Sequence, residues 1–248
     1  MRSCAAARMY TGATTAASAD MDADAEEGPL SASFRAFLGD HAFPCVGAKA
    51  ALARGALAIH EFAALGDRRN DASLLDRLEA FGAMLGDLDT QDTTLHSFAA
   101  IFRGPRDTDE HRFEALLWSQ LQRLHDLDAR RGGHWASDVS ADPEDPAFSL
   151  SLGGHPFFVI GLHPGASRRA RRFEAPVLVF NSHRQFDLLR ADGRYAKMQK
   201  ATRTRDLALQ GSLNPNLADF GVASEARQYS GRAVEPEWRC PLRVRRSR

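Results

Sequence analysis

The chain predicts an α/β or α+β fold, a single domain built on a central mixed, largely antiparallel sheet flanked by helices. Three observations carry this. Strand-type and helix-type apolar runs alternate from residue 56 to residue 205, the pattern of helices packed on one sheet. A Gly153-Gly154 pair between two β-type runs marks a hairpin near the centre of the chain. At 248 residues, with 44% hydrophobic and 26% charged side chains, the chain has the size and composition of one globular core.

Residues 1–28 are small and polar and read as a disordered leader rather than a targeting peptide, because no continuous apolar segment lies within them. Phe34, Phe37 and Leu38 begin a short helix that stops near Gly39. Pro44 pushes Phe43 towards extended backbone, which would put Cys45 at a strand-to-helix corner with Val46 to Arg54 as the helix. Ala56 to Ala64 reads as a strand, and His60 on it as a solvent-facing or capping residue. Asn70, Asp71 and Ser73 cap a helix from Leu74 to Leu88 with helical apolar spacing. Thr94 to Phe102 alternates as a strand. A further helix follows Thr108-Asp109-Glu110 and runs through Leu124, with His111 and His125 as its solvated or boundary residues.

From Arg130 the chain turns to Gly, Pro and Asp, an ordered or semi-ordered loop in which the aspartates before prolines initiate turns. Phe148 to Leu152 and His155 to His163 are the arms of the hairpin. Pro176 to Phe180 is another buried strand. Phe186 to Arg205 reads as one helix with Leu188, Leu189, Tyr195 and Met198 inward. The segment after it is turn-rich yet too rich in Phe, Leu and Tyr to be a tail, so it should wrap the sheet. The domain is therefore placed at 29–242, followed by a basic tail at 243–248.

Lys plus Arg and Asp plus Glu balance at 32 each, so no global field favours nucleic acid or a membrane surface. Three widely separated cysteines, Cys4, Cys45 and Cys240, argue against a disulfide framework and for a reducing, cytoplasmic setting. No run approaches the ~18 apolar residues of a membrane span. The sequence also lacks GxGxxG, P-loop, HExxH, GxSxG and CxxC motifs.

The polar chemistry concentrates between Phe148 and Arg190, where three of the nine histidines and a knot of arginines are threaded through β-type runs. Arg168 and Arg172 share a face if their segment is α-helical, and guanidinium forks suit carboxylates or phosphates; the alternative is a solvated basic patch. His163 and His183 each end a buried strand, positions suited to a metal, a haem iron or proton transfer. Cys45 at a helix N-terminus would have its thiolate favoured by the helix dipole, or would serve as a small buried hydrophobe.

Several segments, in order, resemble the YqcI/YcgG family, which includes haem-dependent guanidine N-hydroxylases. They are FPCVGAKAAL at 43–52, SADPEDPAFSLSLGGHPFFVIGLHPGASRRARRF at 140–173 and PVLVFNSHRQFDLLR at 176–190. RTRDLALQGSLNPNL at 203–217, SEARQYSGR at 224–232 and WRCPL at 238–242 complete the set. The resemblance implies haem b, an external electron donor or peroxide, and N-hydroxylation of a small guanidino substrate, with arginine leading. It implies Cys45 or His163 as axial ligand with His183 behind them, Arg168 and Arg172 on propionates or a substrate carboxylate, and Glu225 holding a guanidinium. The other readings are a non-catalytic haem or small-anion binding protein and, more remotely, a nucleic-acid module using the arginines.

Overall fold

The computed structural model describes residues 28–88, 92–217 and 221–245; the leader expected at 1–28 lies outside these except for Gly28. The elements are α1 (Pro29–Gly39), α2 (Val46–Ala53), β1 (Leu57–Ala64), α3 (Asp71–Gly86), β2 (Ser97–Gly104) and α4 (Glu110–Arg130). They continue with β3 (Leu150–Leu152), β4 (His155–Leu162), β5 (Val177–Ser182), α5 (His183–Ala191), α6 (Arg194–Gln210) and α7 (Ala226–Tyr229). The five strands form one sheet in the order β1-β2-β5-β4-β3. Only β1 and β2 pair in parallel, joined by the α3 crossover; the remaining pairs are antiparallel. The mixed, mostly antiparallel α/β sheet is as the sequence predicts.

Alternation along the strands divides the interior in two. Phe98, Phe102, Phe157, Val159, Leu178 and Phe180 face α3, α4 and α7 in the larger core. Leu57, Ala99, Ile101 and Val177 face the other way and meet Phe34, Leu38 and Phe43 from the α1 side. The hairpin turn places Gly153 and Gly154 at φ 57° and 69°, the two left-handed positions a tight turn between twisted strands requires.

Four local expectations change. The residues before Cys45 are a turn between α1 and α2, not a strand: Pro44 limits its own φ, but no neighbouring strand is there for Phe43 to pair with. The single helix expected over 186–205 is two, because Gly193 sits at φ 74° and breaks the ladder. Leu188, expected inward, is 59% exposed, whereas Leu189 is buried. His125, expected at a boundary, is buried and its Nε2 accepts the Arg245 backbone N–H at 2.9 Å.

That last bond bears on the basic tail. Arg243 N–H donates to Gln122 Oε1 at 2.8 Å, and Val244 packs against the larger core. Residues 243–245 are thus docked on α4 rather than trailing from the domain. Among the described residues, no helix is long and apolar enough to cross a membrane.

Candidate functional site

On the α1 and α2 side of the sheet, a cavity of about 330 Å³ opens between the strands and the helices α2, α5 and α6, a volume within the range of small-molecule sites. Its floor is the sheet: Phe158 and Ile160 from β4 and Val179 and Asn181 from β5 point into it, while their neighbours Phe157, Val159, Leu178 and Phe180 fill the opposite core. Strand periodicity therefore supplies an apolar floor without removing core residues. The roof is α5 and α6, through Phe186, Tyr195 and Met198.

Cys45 stands at one edge. It is the N-cap of α2, and its Sγ accepts the Ala48 N–H at 3.4 Å. The dipole argument is overridden here: burial raises the thiol pKa by more than the backbone N–H groups of Ala48 and Gly47 and the charge of Arg171 lower it. The thiol is the resting form.

A carboxylate–imidazole pair occupies another part of the lining. Glu225 is buried, its Oε1 accepting from Tyr229 Oη at 2.6 Å and from Ser149 Oγ at 2.9 Å. Its Oε2 lies 3.6 Å from His183 Nδ1. The other ring nitrogen, Nε2, lies 3.5 Å from Asp187 Oδ2 and from Arg190 Nη2. Ser182 caps α5 by accepting the Gln185 N–H, and this fixes the strand end from which His183 projects.

Among the described residues, four guanidinium groups line the cavity, from Arg168, Arg171, Arg190 and Arg203, against two carboxylates, Asp206 and Glu225. Arg168 is buried and committed: it pairs with Asp206 of α6 and donates to Ser212 Oγ at 3.1 Å and Ser212 O at 2.8 Å. Arg190 pairs with Asp187 at 2.6 Å and lies over the Tyr195 ring. Guanidinium groups on such a lining are of the chemistry that suits an anionic group.

Of the residues predicted from sequence, Cys45, Arg168, His183 and Glu225 come together in this lining, and His163 and Arg172 do not. His163 faces the α4 side, its ring stacked on Phe113 at 4.3 Å between centroids, and burial lowers its pKa. Arg172 is exposed, and its Nε donates to Ala166 O at 2.8 Å. The cause is the local helix type. Residues Arg169–Arg171 form a 3₁₀ turn, whose three-residue period places i and i+3 on one face where an α-helix would align i and i+4. Arg171 therefore takes the place expected for Arg172. His96 was also missed; it lines the cavity, and its position at the start of a strand gave no periodic signal.

The residues present fit a haem by the chemistry of their donors: a thiol and an imidazole within one apolar-walled cavity, and guanidinium groups to meet carboxylates. Of the two donors, Cys45 is the freer. Both nitrogens of His183 face charged partners, whereas the partners of Cys45 Sγ are the neutral backbone N–H groups of Ala48, at 3.4 Å, and Gly47.

Fold and cavity together define an α/β protein with a ligand-sized, cationic, apolar-floored site. The family model described as YqcI/YcgG family matches residues 34–243, and the chain belongs to that family. It is similar to the uncharacterized protein YqcI of Bacillus subtilis (strain 168), 26% identical over 213 residues that cover 82% of this chain and 81% of that protein. No solved structure matches it.

Proposed function

We propose that the chain is a haem-dependent oxygenase that N-hydroxylates the guanidino group of arginine or an arginine-derived compound. The observation that carries this reading is the meeting, in one cavity, of the Cys45 thiol, the arginine cluster and the buried Glu225 carboxylate. Cys45 lies more than a hundred residues before the arginines and Glu225 in the sequence. The family resemblance supplies the reaction class.

Haem, when bound, would activate dioxygen with two electrons from an external donor, or peroxide, chemistry that no side chain here performs. The protein's part is binding and placement. Cys45 would hold the iron as thiolate, iron ligation offsetting the burial that keeps the free thiol protonated. Guanidinium groups on the lining would meet the propionates or a substrate carboxylate. Glu225 would accept N–H groups of the substrate guanidinium through Oε2, because Oε1 is occupied by Tyr229 and Ser149. His183 touches Glu225 and the Asp187–Arg190 pair, so it orients that carboxylate and joins it to a half-exposed acid. Phe158, Ile160, Val179 and Phe186 exclude water from the reacting nitrogen.

The test is spectroscopic first. Purified full-length chain supplemented with haem should show a Soret band, and the reduced carbon monoxide adduct should have the thiolate-type band, lost in Cys45→Ser. Protein that stays colourless after haem supplementation overturns the reading. Haem-loaded protein that makes no hydroxyarginine from arginine, reductant and dioxygen overturns the activity on arginine, and the same result with arginine-derived guanidines leaves a binding protein.

A further inference from the structure

The four guanidinium groups of the lining differ in what already occupies them. Arg168 is held by Asp206 and Ser212, and Arg190 by Asp187 and the Tyr195 ring. Arg203 also has partners. Arg171 is different. Its Nη1 donates to two neutral carbonyls, Gly161 O at 3.2 Å and Tyr229 O at 3.1 Å. Among the described residues no carboxylate lies within ion-pair distance of it, and its Nε and Nη2 have no acceptor. Neither of those two nitrogens is among the enclosed polar atoms left without a partner, so both retain exposure, and the residue lines the cavity.

A guanidinium placed this deep without a carboxylate is costly. Burial and the charge of Arg168 lower its pKa to about 10, with Asp206 acting only at a distance in the opposite sense. The group stays charged at neutral pH and is short of one anion. Its orientation is fixed by the two carbonyl bonds and by Gly231, where an added Cβ would meet the Arg171 side chain at 2.9 Å. The remaining edge, Nε with Nη2, is the one a carboxylate takes through two parallel bonds.

We propose that Arg171 is the carboxylate-recognising residue of the cavity, and that the ligand reaching it carries a carboxylate group. This rests on the cavity being the ligand site proposed above, and two sources share the chemistry, a porphyrin propionate or the α-carboxylate of a small amino acid.

The experiment uses the full chain and two matched probe pairs: protoporphyrin IX against its dimethyl ester, and L-arginine, on haem-supplemented protein, against agmatine, which lacks the carboxylate. Arg171→Gln should weaken the carboxylate-bearing member of one pair by roughly ten- to a hundredfold, the loss of a charge-assisted bond, and leave its carboxylate-free partner unchanged. The pair that responds identifies the source. Arg171→Lys keeps the charge and loses the fork; it should fold where Gln does not, and should lose most of the same discrimination. Arg172→Gln, exposed and outside the lining, should change neither pair. Wild-type discrimination retained in both Arg171 variants overturns this inference alone. Wild-type protein that binds neither carboxylate-bearing probe overturns it together with the proposed function.

Discussion

Replacing Tyr229 by Phe removes one oxygen from the point where the larger core meets the cavity. The Tyr229 hydroxyl donates to Glu225 Oε1 at 2.6 Å, lies 3.1 Å from Phe157 O and accepts the Leu150 N–H at 3.3 Å. Burial and the adjacent Glu225 carboxylate hold its pKa well above the ordinary tyrosine value, so it remains a donor throughout the accessible pH range. The ring contacts, stacked on Trp118 at 5.6 Å and edge-on to Phe158 at 5.7 Å, survive in the variant. The cost is therefore confined to hydrogen bonds: about 1.5–3 kcal/mol for the bond to the carboxylate and about 1 kcal/mol for the long bond to Leu150, giving roughly 2–4 kcal/mol. Urea unfolding at pH 7 should show this as a lower midpoint with an unchanged slope. Ser149→Ala, which removes only the second donor to the same oxygen, should cost less. A loss below about 1 kcal/mol for Tyr229→Phe would refute the view that the Tyr229 hydroxyl holds Glu225 in place.

Three further outcomes are expected. His155 is buried, its Nε2 at 2.8 Å from Ser182 Oγ, and burial lowers its pKa to about 4. The unfolded chain takes up this proton near pH 6.5 and the folded chain only near 4, so stability is full above 6.5 and falls as pH drops through that window, by at most about 3 kcal/mol from this group; His155→Gln should flatten the acid limb of urea midpoints measured from pH 7 to 4.5. Asp206→Ala should release α6 without unfolding the domain: hydrogen exchange over 194–210 should accelerate by roughly tenfold or more while the β2 and β5 amides keep their protection. Gly231→Ala should push Arg171 aside, its Cβ meeting that side chain at 2.9 Å and its backbone at φ 84° disfavouring alanine, and should reduce binding of a carboxylate-bearing probe in the same direction as Arg171→Gln.

Much of this architecture was legible because it follows from periodicity and punctuation. The runs at 57–64, 155–162 and 177–182 are continuous β-type segments, and the paired glycines at 153–154 permit one kind of turn. What failed was local and had physical reasons. The distinction between Arg171 and Arg172 depends on whether three or four residues complete a turn, and four arginines in five positions give no apolar spacing to reveal it. The break at Gly193 was hidden because a single glycine inside a helical pattern costs only about 1 kcal/mol and does not by itself end a helix. His163 and His183 looked equivalent as strand-end histidines, yet consecutive strand positions face opposite sides of the sheet, and only the packed structure sends one towards Phe113 and the other towards Glu225. Glu225 drew attention through the family-like segment around it. Its neighbours Tyr229 and Ser149 did not, since hydrogen bonds between distant segments leave no mark in a single sequence.

The helix over the cavity has a consequence for how this site can change. No residue of α6 is buried, although Tyr195, Met198, Arg203 and Asp206 all face the ligand space. The sheet residues beneath it alternate with core residues, so a large change in the floor disturbs the fold. A change in the roof does not. Apart from Asp206, which holds the buried Arg168, substitutions along α6 should carry little folding cost, so the two halves of the cavity are under unequal constraint: the floor preserves the protein, and the roof is free to vary.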